Sequence, residues 1–506
     1  MIPVILKNEA FALDESTISS GYLSEKDLMD NAGKSIAQFV VENIHDPFNQ
    51  NIIVLAGPGN NGGDAIICHY YLSFYGINSK LILLDRQQKE SWIFEKYTID
   101  SKTINFHDDK IELNPDYWYI DGIFGIGLKR NIGGKYKKII DLLIDCPNII
   151  SIDIPSGIYC DNGIMAGTNI NAVYTLTMGY PKAGHFFNVG LDASGEVSVL
   201  DIGFKDIPEP HSFLQLIDHE DICGQLPTYS ENAHKYSRGK LVTISGSKGY
   251  TGACILAIQA AMKTGVGIVK AIIPKSLNVV LETILTEAIT IPIQEHDAGT
   301  FTTENSSDIL LEIDWADAVI FGPGLKTDAN SGDWMAQILR KLEKPLVLDA
   351  SGFLPLIENK MTIGELPPDS ILTPHYAEFS RIFNLNLRKV MNDPISAVRG
   401  IIPTLENRVL ILKGATNIIV NSGGDIFLMN HGTPALATAG TGDVLTGILG
   451  ALLAQGEQLD EASLLAVYLH GECVHQFNKI ISSMGLIASD LPAMLPYALN
   501  EVNHVH

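Results

Sequence analysis

Hydrophobic positions along this chain follow two periods. Between residues 14 and 45, Met29, Ala32, Ile36, Phe39 and Val40 recur at helical spacing, which predicts a helix with Ser24 as a cap. Asp30 and Asn31 read as its solvated face. Short unbroken apolar runs read instead as buried strands. In the first half these are 51–56, 80–85, 117–121 and 148–153, with a helix reaching Tyr75 between the first two. In the second half they are 240–245, 267–273, 288–293, 318–321, 345–349, 370–373 and 408–413, with helical stretches between most of them. An apolar helix is predicted to run to Thr264, and 417–421 and 425–429 flank Ser422-Gly423-Gly424 as a hairpin. Strands alternating with helices predict α/β architecture in both halves. The pattern lapses from about Ile207, through Pro208-Glu209-Pro210 and the polar stretch Pro227 to Gly239. The expected division is a first domain over 1–215, a linker over 216–227 and a second domain over 228–506.

Composition narrows the picture. A chain of 506 residues with 46% hydrophobic and 18% charged residues can build two large packed cores. A net charge of −23 argues against nucleic acid and anionic membrane as partners, because nothing basic is there to neutralise phosphates. The six cysteines are scattered with no CxxC pair, so neither a zinc site nor a disulfide framework is expected. The apolar start at Met1 is too short for a signal peptide, and no apolar run reaches the ~18 residues of a membrane span. A cytoplasmic protein is the expectation.

Candidate chemistry sits where strands end. The stretch 437–453 places Gly440-Thr441-Gly442-Asp443 before an apolar helix that carries Val444, Leu445, Ile448, Leu449, Leu452 and Leu453. A glycine turn entering a helix offers free N–H groups to an anion, and the acid beside it is suited to take a proton. Gly322-Pro323-Gly324, Asp349-Ala350-Ser351, Thr373-Pro374-His375 and Lys413 to Asn417 also follow strands. Together these parts suit phosphoryl transfer to a hydroxyl, with Asp443 accepting the proton. In the first half, Gly57, Gly59 and Gly62 fit G-x-G-x-x-G, and Asp85 ends the next strand, as in a dinucleotide-binding dehydrogenase. Pro58, Asn60-Asn61 and Asp64 argue against that reading. Asn61, Asp121 and Ser156 instead form an oxygen donor set that suits a hard cation. Asp153 is a candidate acid/base, and Lys129 and Arg130 are candidate anion partners. His470, Glu472 and His475 read as part of a core helix, not a metal site, and His504 and His506 lie on a polar tail.

Specific motifs carry a resemblance. Gly59-Asn-Asn-Gly-Gly-Asp64, Asp121-x-x-Phe-Gly-x-Gly127, Asp153-Ile-Pro-Ser-Gly157 and Thr175-x-Thr-Met-Gly-x-Pro-Lys182-x-Gly184 resemble the NAD(P)H-hydrate epimerase domain over about 10–210. The resemblance implies a Rossmann-like three-layer fold and a potassium ion on Asn61, Asp121 and Ser156. It also implies substrate contacts from Asn60, Asn61, Gly62, Gly63 and Asp64, from Gly125, Ile126, Gly127, Leu128, Lys129, Arg130 and Asn131, and from Asp153. Gly246-Ser-x-x-Tyr250-x-Gly-Ala253, Gly322-Pro-Gly-Leu325, Thr373-Pro-His-x-x-Glu378, Leu412-Lys-Gly-Ala415 and the 437–447 stretch resemble the ADP/ATP-dependent NAD(P)H-hydrate dehydratase domain over about 228–500. That domain is ribokinase-like, so both halves are expected to be doubly wound α/β domains. The resemblance implies that Ala253, Gly324, His375 and Asp443 touch the hydrated cofactor. It implies that Lys413, Gly414, Ala415, Thr416, Asn417 and Gly442 touch ADP or ATP with Mg²⁺. The family has Asp-Ala-Asp where this chain has Asp349-Ala350-Ser351, so any metal or water held by the second carboxylate is displaced or missing here. Substrates implied are NADHX and NADPHX, and a homo-oligomer is expected. The alternative is a ribokinase-type small-molecule kinase with a nucleotide-binding regulatory domain.

Overall fold

The structure is a computed structural model, and it describes residues 1–85, 91–97, 114–205, 214–296 and 299–503. Pro208, Pro210, His504 and His506 lie outside the described residues. The chain divides into two compact units, Ile2–Phe213 and Leu214–His506, the second also taking Met1.

In the first unit the strands lie in the order Ser79–Leu83, Ile52–Ala56, Trp118–Gly122, Ile149–Ile152, Tyr174–Met178 and Glu196–Leu200, all pairs parallel. Successive side chains of a strand point to opposite faces, so an unbroken apolar run fills two cores. Ile52, Val54 and Ala56 pack with helices Glu25–Asn43 and Asn60–Phe74. Ile53 and Leu55 pack with Ile139, Ile140 and Leu143 of helix Gly134–Leu143 on the other face. The result is the expected three-layer α/β arrangement.

The N-terminal segment differs from its expectation. The single helix expected over 14–45 is two, Lys7–Ser19 and Glu25–Asn43. Gly21, at φ 71°, follows the first helix, and the Ser24 hydroxyl accepts the Asp27 N–H at 3.2 Å to start the second. Asp30 and Asn31 are not simply solvated. Asp30 accepts the hydroxyls of Tyr71 and Tyr97, and the Asn31 amide donates to the Ile202 carbonyl at 2.9 Å. Asp85 accepts Lys135 Nζ at 3.0 Å and the Tyr136 hydroxyl at 2.9 Å. These local partners explain its carboxylate without a ribose.

The sheet of the second unit runs Leu214–Leu216, Ile426–Met429, Asn417–Val420, Val409–Leu412, Ser370–Leu372, Leu346–Leu348, Ala318–Phe321, Lys240–Ile244, Ile268–Pro274 and Ile289–Ile293. It is parallel except where Asn417–Val420 pairs antiparallel with both neighbours, which includes the expected hairpin. Helices Thr251–Lys263, Thr441–Ala454 and Leu459–Asn478 share one core with these strands. The stretch expected as a linker over 216–227 is ordered. Leu216 pairs with Leu428, and helix His219–Ile222 buries Ile222 in the core. Among the described residues, no helix is long and apolar enough to cross a membrane.

Candidate active sites

Loops at the carboxyl edge of a parallel sheet are where α/β folds bind ligands, and both units follow this rule. In the first unit, loops after three strands open into a cavity of about 840 Å³ that Asn60, Asn61, Asp64, Gly125 to Arg130, Asp153 and Lys182 help to line. Glycine makes the close packing of these loops possible. A Cβ on Gly57 would stand 1.9 Å from the Ile123 carbonyl oxygen, and one on Gly62 would stand 1.9 Å from that of Gly57. Gly62, Gly63 and Asn131 are not among the lining residues. Gly62 and Gly63 are buried in the helix start behind the lining.

Behind the cavity, Asp121 and Ser156 are bonded directly, and the Asn61 side chain meets the Gly125 loop. The Ser156 hydroxyl donates to Asp121 Oδ1 at 2.6 Å, and the Ser156 N–H and Ser151 hydroxyl donate to Oδ2, each at 2.9 Å. Asp121 is fully buried, and burial raises its pKa despite the hydrogen bonds from Ser156. Among the described residues it has no ion pair. The Asn61 amide donates to the Ile152 carbonyl at 3.2 Å, and its oxygen faces the Gly125 loop.

Asp153 sits in the left-handed region at φ 66°, a strained turn that aims its side chain at the cavity. Lys182, only 2% exposed, donates to Asp153 Oδ1 at 2.5 Å, to the Thr177 hydroxyl at 2.8 Å and to the Met178 carbonyl at 3.1 Å. His185 contacts the Asp153 carbonyl at 3.0 Å, and burial followed by Lys182 lowers its pKa to about 4. Two further acids line the cavity: Asp14, from helix Lys7–Ser19, and Glu25, from the first turn of helix Glu25–Asn43. Sequence reasoning missed Asp14 because the helix was expected to begin at that residue. The available signal was a polar residue one turn from Ala10 and from Thr17, which are both buried.

In the second unit, two loops are tied directly. The Gly246 N–H donates to the Pro323 carbonyl at 2.8 Å, and the Ser247 hydroxyl donates to that of Gly324 at 2.7 Å. A Cβ on Gly324 would stand 2.9 Å from that of Ala253, so these two predicted contacts are neighbours. Asp349 is buried and accepts Lys413 Nζ at 2.7 Å, the Thr373 hydroxyl at 2.8 Å and the Thr446 hydroxyl at 3.0 Å. It is a structural anchor that the motif reading did not assign. Burial would lower the Lys413 pKa, but Asp349 more than offsets this and raises it. Gly442 faces the same ammonium: a Cβ there would stand 3.4 Å from Lys413 Nζ. Ser351 donates to the Leu325 carbonyl at 2.7 Å, so the residue that replaces the family's second carboxylate closes the loop.

Helix Thr441–Ala454 starts from Gly440 at φ 95°. Its first turn holds Asp443, whose pKa rises to about 7 through burial and then the nearby Asp349, with Lys413 opposing. The Asp443 side chain has no hydrogen bond or ion pair among the described residues. His375 has its side chain mostly exposed, and its Nδ1 accepts the N–H groups of Ala377 and Glu378 at 3.1 and 3.3 Å. Nε2 lies 3.5 Å from Glu378 Oε2 in the first turn of the helix that His375 caps. Thr416 is buried, and Asn417 Oδ1 accepts the Gly414 N–H at 3.4 Å. Helix Leu459–Asn478 is a core element as expected. Within it Glu472 accepts from His431 at 2.8 Å, and no cluster of metal-binding side chains occurs among the described residues.

A Rossmann-like unit with a cavity at the carboxyl edge of its sheet, joined to a unit with a glycine turn and a partly buried aspartate at a helix start, fits a two-centre enzyme of small-molecule chemistry. Residues 241–496 match the family described as NAD(P)H-hydrate dehydratase, and residues 25–184 match the one described as YjeF-related protein N-terminus. The bifunctional NAD(P)H-hydrate repair enzyme Nnr of Dictyoglomus turgidum is 35% identical over 496 residues, 94% of each chain. Its counterpart from Thermofilum pendens is 30% identical over 503 residues, covering 97% of this chain and 95% of that one. The crystal structure of a Bacillus subtilis ADP/ATP-dependent NAD(P)H-hydrate dehydratase, co-crystallised with ATP and Mg²⁺, is 26% identical. It superposes with a TM-score of 0.50 over 57% of this chain and 99% of that chain. A ribokinase-like protein from Enterococcus faecalis, 22% identical at a TM-score of 0.51 over 59% of this chain and 99% of that one, shares the fold. The chain belongs to the family of bifunctional NAD(P)H-hydrate repair enzymes. It is an isomerase and a lyase in one polypeptide.

Proposed function

We propose that the unit Ile2–Phe213 epimerises R- and S-NAD(P)HX, and that the unit Leu214–His506 dehydrates the S epimer with ADP or ATP. A dihydronicotinamide contains an enamine, and water adds to its carbon beside the ring nitrogen. The hydrate is therefore a hemiaminal. Inverting that carbon needs groups that give and take protons, and Asp153 with its Lys182 partner supplies one at the cavity. Asn61, Asp121 and Ser156 fit a potassium ion, because a buried carboxylate without an ion pair sits among neutral oxygen donors. The ion would balance the Asp121 charge and brace the loops above it.

In the second unit the observation that carries the reading is Asp443, an unpartnered acid on a glycine-entered helix start beside Lys413 and Asp349. Asp443 takes the proton of the substrate hydroxyl as that oxygen attacks the terminal phosphoryl group of the Mg²⁺–nucleotide. The N–H groups at Gly440 to Gly442 and the Lys413 ammonium face the charge that develops. Phosphate then leaves with the C–O bonding pair, and loss of a proton from the adjacent carbon restores the enamine. Ala253, Gly324 and His375 are the substrate contacts in this reading, and Lys413 to Asn417 with Gly442 are those of the nucleotide. Exposed apolar side chains at Ile480, Ile481, Met484 and Ile487 support a homo-oligomer.

The test is recovery of NADH absorbance from separate R and S epimers with Mg²⁺ and ADP or ATP. Both epimers are expected to be repaired. Replacing potassium with choline should slow use of the R epimer and leave the S epimer unaffected. No recovery from either epimer would overturn the proposal.

A further inference from the structure

We propose that Asp14 is a second catalytic acid/base of the epimerase centre, brought to the substrate by a different element from Asp153. This rests on the epimerase reading above. Helix Lys7–Ser19 turns Ala10, Leu13 and Thr17 inward, and all three are buried. Asp14 shares that inward face and lines the same cavity as Asp153 and Lys182. The two acids arrive on different elements. Asp153 stands at the carboxyl edge of the sheet, while Asp14 comes from a helix that precedes the sheet and forms a wall of the cavity. Their partners also differ. Asp153 has Lys182, Thr177 and the Met178 N–H within hydrogen-bonding distance. Asp14 has no hydrogen bond or ion pair among the described residues. A partly buried carboxyl without a partner normally has a reason to be there.

The chemistry uses both groups. Asp14, protonated, gives its proton to the hydroxyl on its side of the ring. The C–O bond breaks, water leaves, and the ring-nitrogen lone pair forms a planar C=N⁺ bond. A water on the opposite face adds to that carbon and gives a proton to Asp153. The product is the other epimer, with one proton moved from Asp14 to Asp153 and no oxidant or reductant used. The reverse reaction exchanges the roles, and solvent exchange resets the protons. Burial, then Asp153 and Glu25, hold the Asp14 pKa at about 6 against the pull of Lys182, so both of its forms are populated near neutrality. The other charged groups lining the cavity are Glu25, Asp64, Lys129 and Arg130.

The test is Asp14→Asn in the full-length chain, assayed separately with each epimer. Epimerisation kcat should fall by about a hundredfold or more with KM little changed. Dehydration of the S epimer should stay at the wild-type rate, which also reports that the chain is folded. The limb of the epimerisation pH profile near 6 should disappear, and Asp14→Glu should restore part of the rate. In isotopically labelled water, the wild-type hydroxyl should take up label in step with inversion. A wild-type epimerisation rate in Asp14→Asn with the same pH limb would overturn the role of Asp14. Inversion without label would overturn the exchange of water between faces. If the wild-type chain dehydrates the S epimer but does not interconvert the two, the epimerase reading itself fails.

Discussion

Asp443 is half-buried and Asp153 is buried, and the two are stabilised in opposite ways. Asp443 has no cation of its own, because Lys413 is already bound to Asp349. Its pKa in the native chain is about 7 against an ordinary 3.8. Between those values the native state holds a proton that the unfolded chain has released, so this group's contribution to stability falls as pH rises through that window. Asp443→Asn should therefore melt a few degrees above wild type at pH 8, with the gap closing towards pH 4. Dehydration should fall by about 10²–10⁴ and epimerisation should not change. Calorimetry and the two-epimer assay check both outcomes. Asp153 instead depends on Lys182. Removing the ammonium in Lys182→Met leaves a buried carboxylate uncompensated and should destabilise the first unit by about 3–5 kcal/mol. Adding Asp153→Asn to that variant should recover most of the loss. Denaturant unfolding of the single and double variants measures this, and equal stability of the two would refute it.

Among the elements, the start of helix Thr441–Ala454 has the least tolerance for change. Gly440 combines a φ of 95° with crowding: a Cβ there would stand 2.7 Å from Leu256 Cδ1 and 3.0 Å from the Ala488 Cβ. Gly440→Ala should cost about 1–2 kcal/mol for the left-handed backbone alone. It should also turn the helix N–H groups off the phosphate, raising KM for the nucleotide more than KM for NADHX. Steady-state kinetics with each substrate varied in turn separates the two. This element was legible in the sequence because its turn, acid and apolar run are contiguous. The buried strands were legible for a similar reason, since an apolar run such as Ile52 to Ala56 has few other uses. Helix Lys7–Ser19 was not, because Phe11 and Ile18 stay exposed beside Asp14 at the open cavity while the polar Thr17 is buried, the reverse of the pattern that marks an amphipathic helix. The outermost strand, Glu196–Leu200, was missed for a related reason: its Val199 is exposed. Asp349 was legible only as part of a strand-end loop with no role of its own. Its partners Thr373, Lys413 and Thr446 come from distant parts of the chain, and only the fold reveals that they meet.

For the whole molecule, the question is whether two chemistries need one chain. Each centre is built from its own unit, and every cavity-lining residue named for epimerisation belongs to Ile2–Phe213. Neither reaction as proposed takes an atom, proton or charge from the other unit. The epimerase releases a neutral change of configuration, and the dehydratase requires only the S epimer and a nucleotide. The two activities should therefore complement in trans. Asp153→Asn alone should repair S-NADHX at the wild-type rate and R-NADHX only as fast as it epimerises in solution. Asp443→Asn alone should repair neither, yet bring both epimers to equilibrium. An equimolar mixture should convert R-NADHX fully to NADH, after a lag set by the time free S-NADHX takes to reach the dehydratase KM. Doubling the Asp443→Asn component should shorten that lag, because it raises the rate at which S-NADHX enters solution. Wild type assayed at the same concentration of sites should show a similar lag. A wild-type course without a lag, beside a mixture with one, would show that the S epimer passes between centres without equilibrating with solvent, and that fusion does more than keep two enzymes at equal copy number.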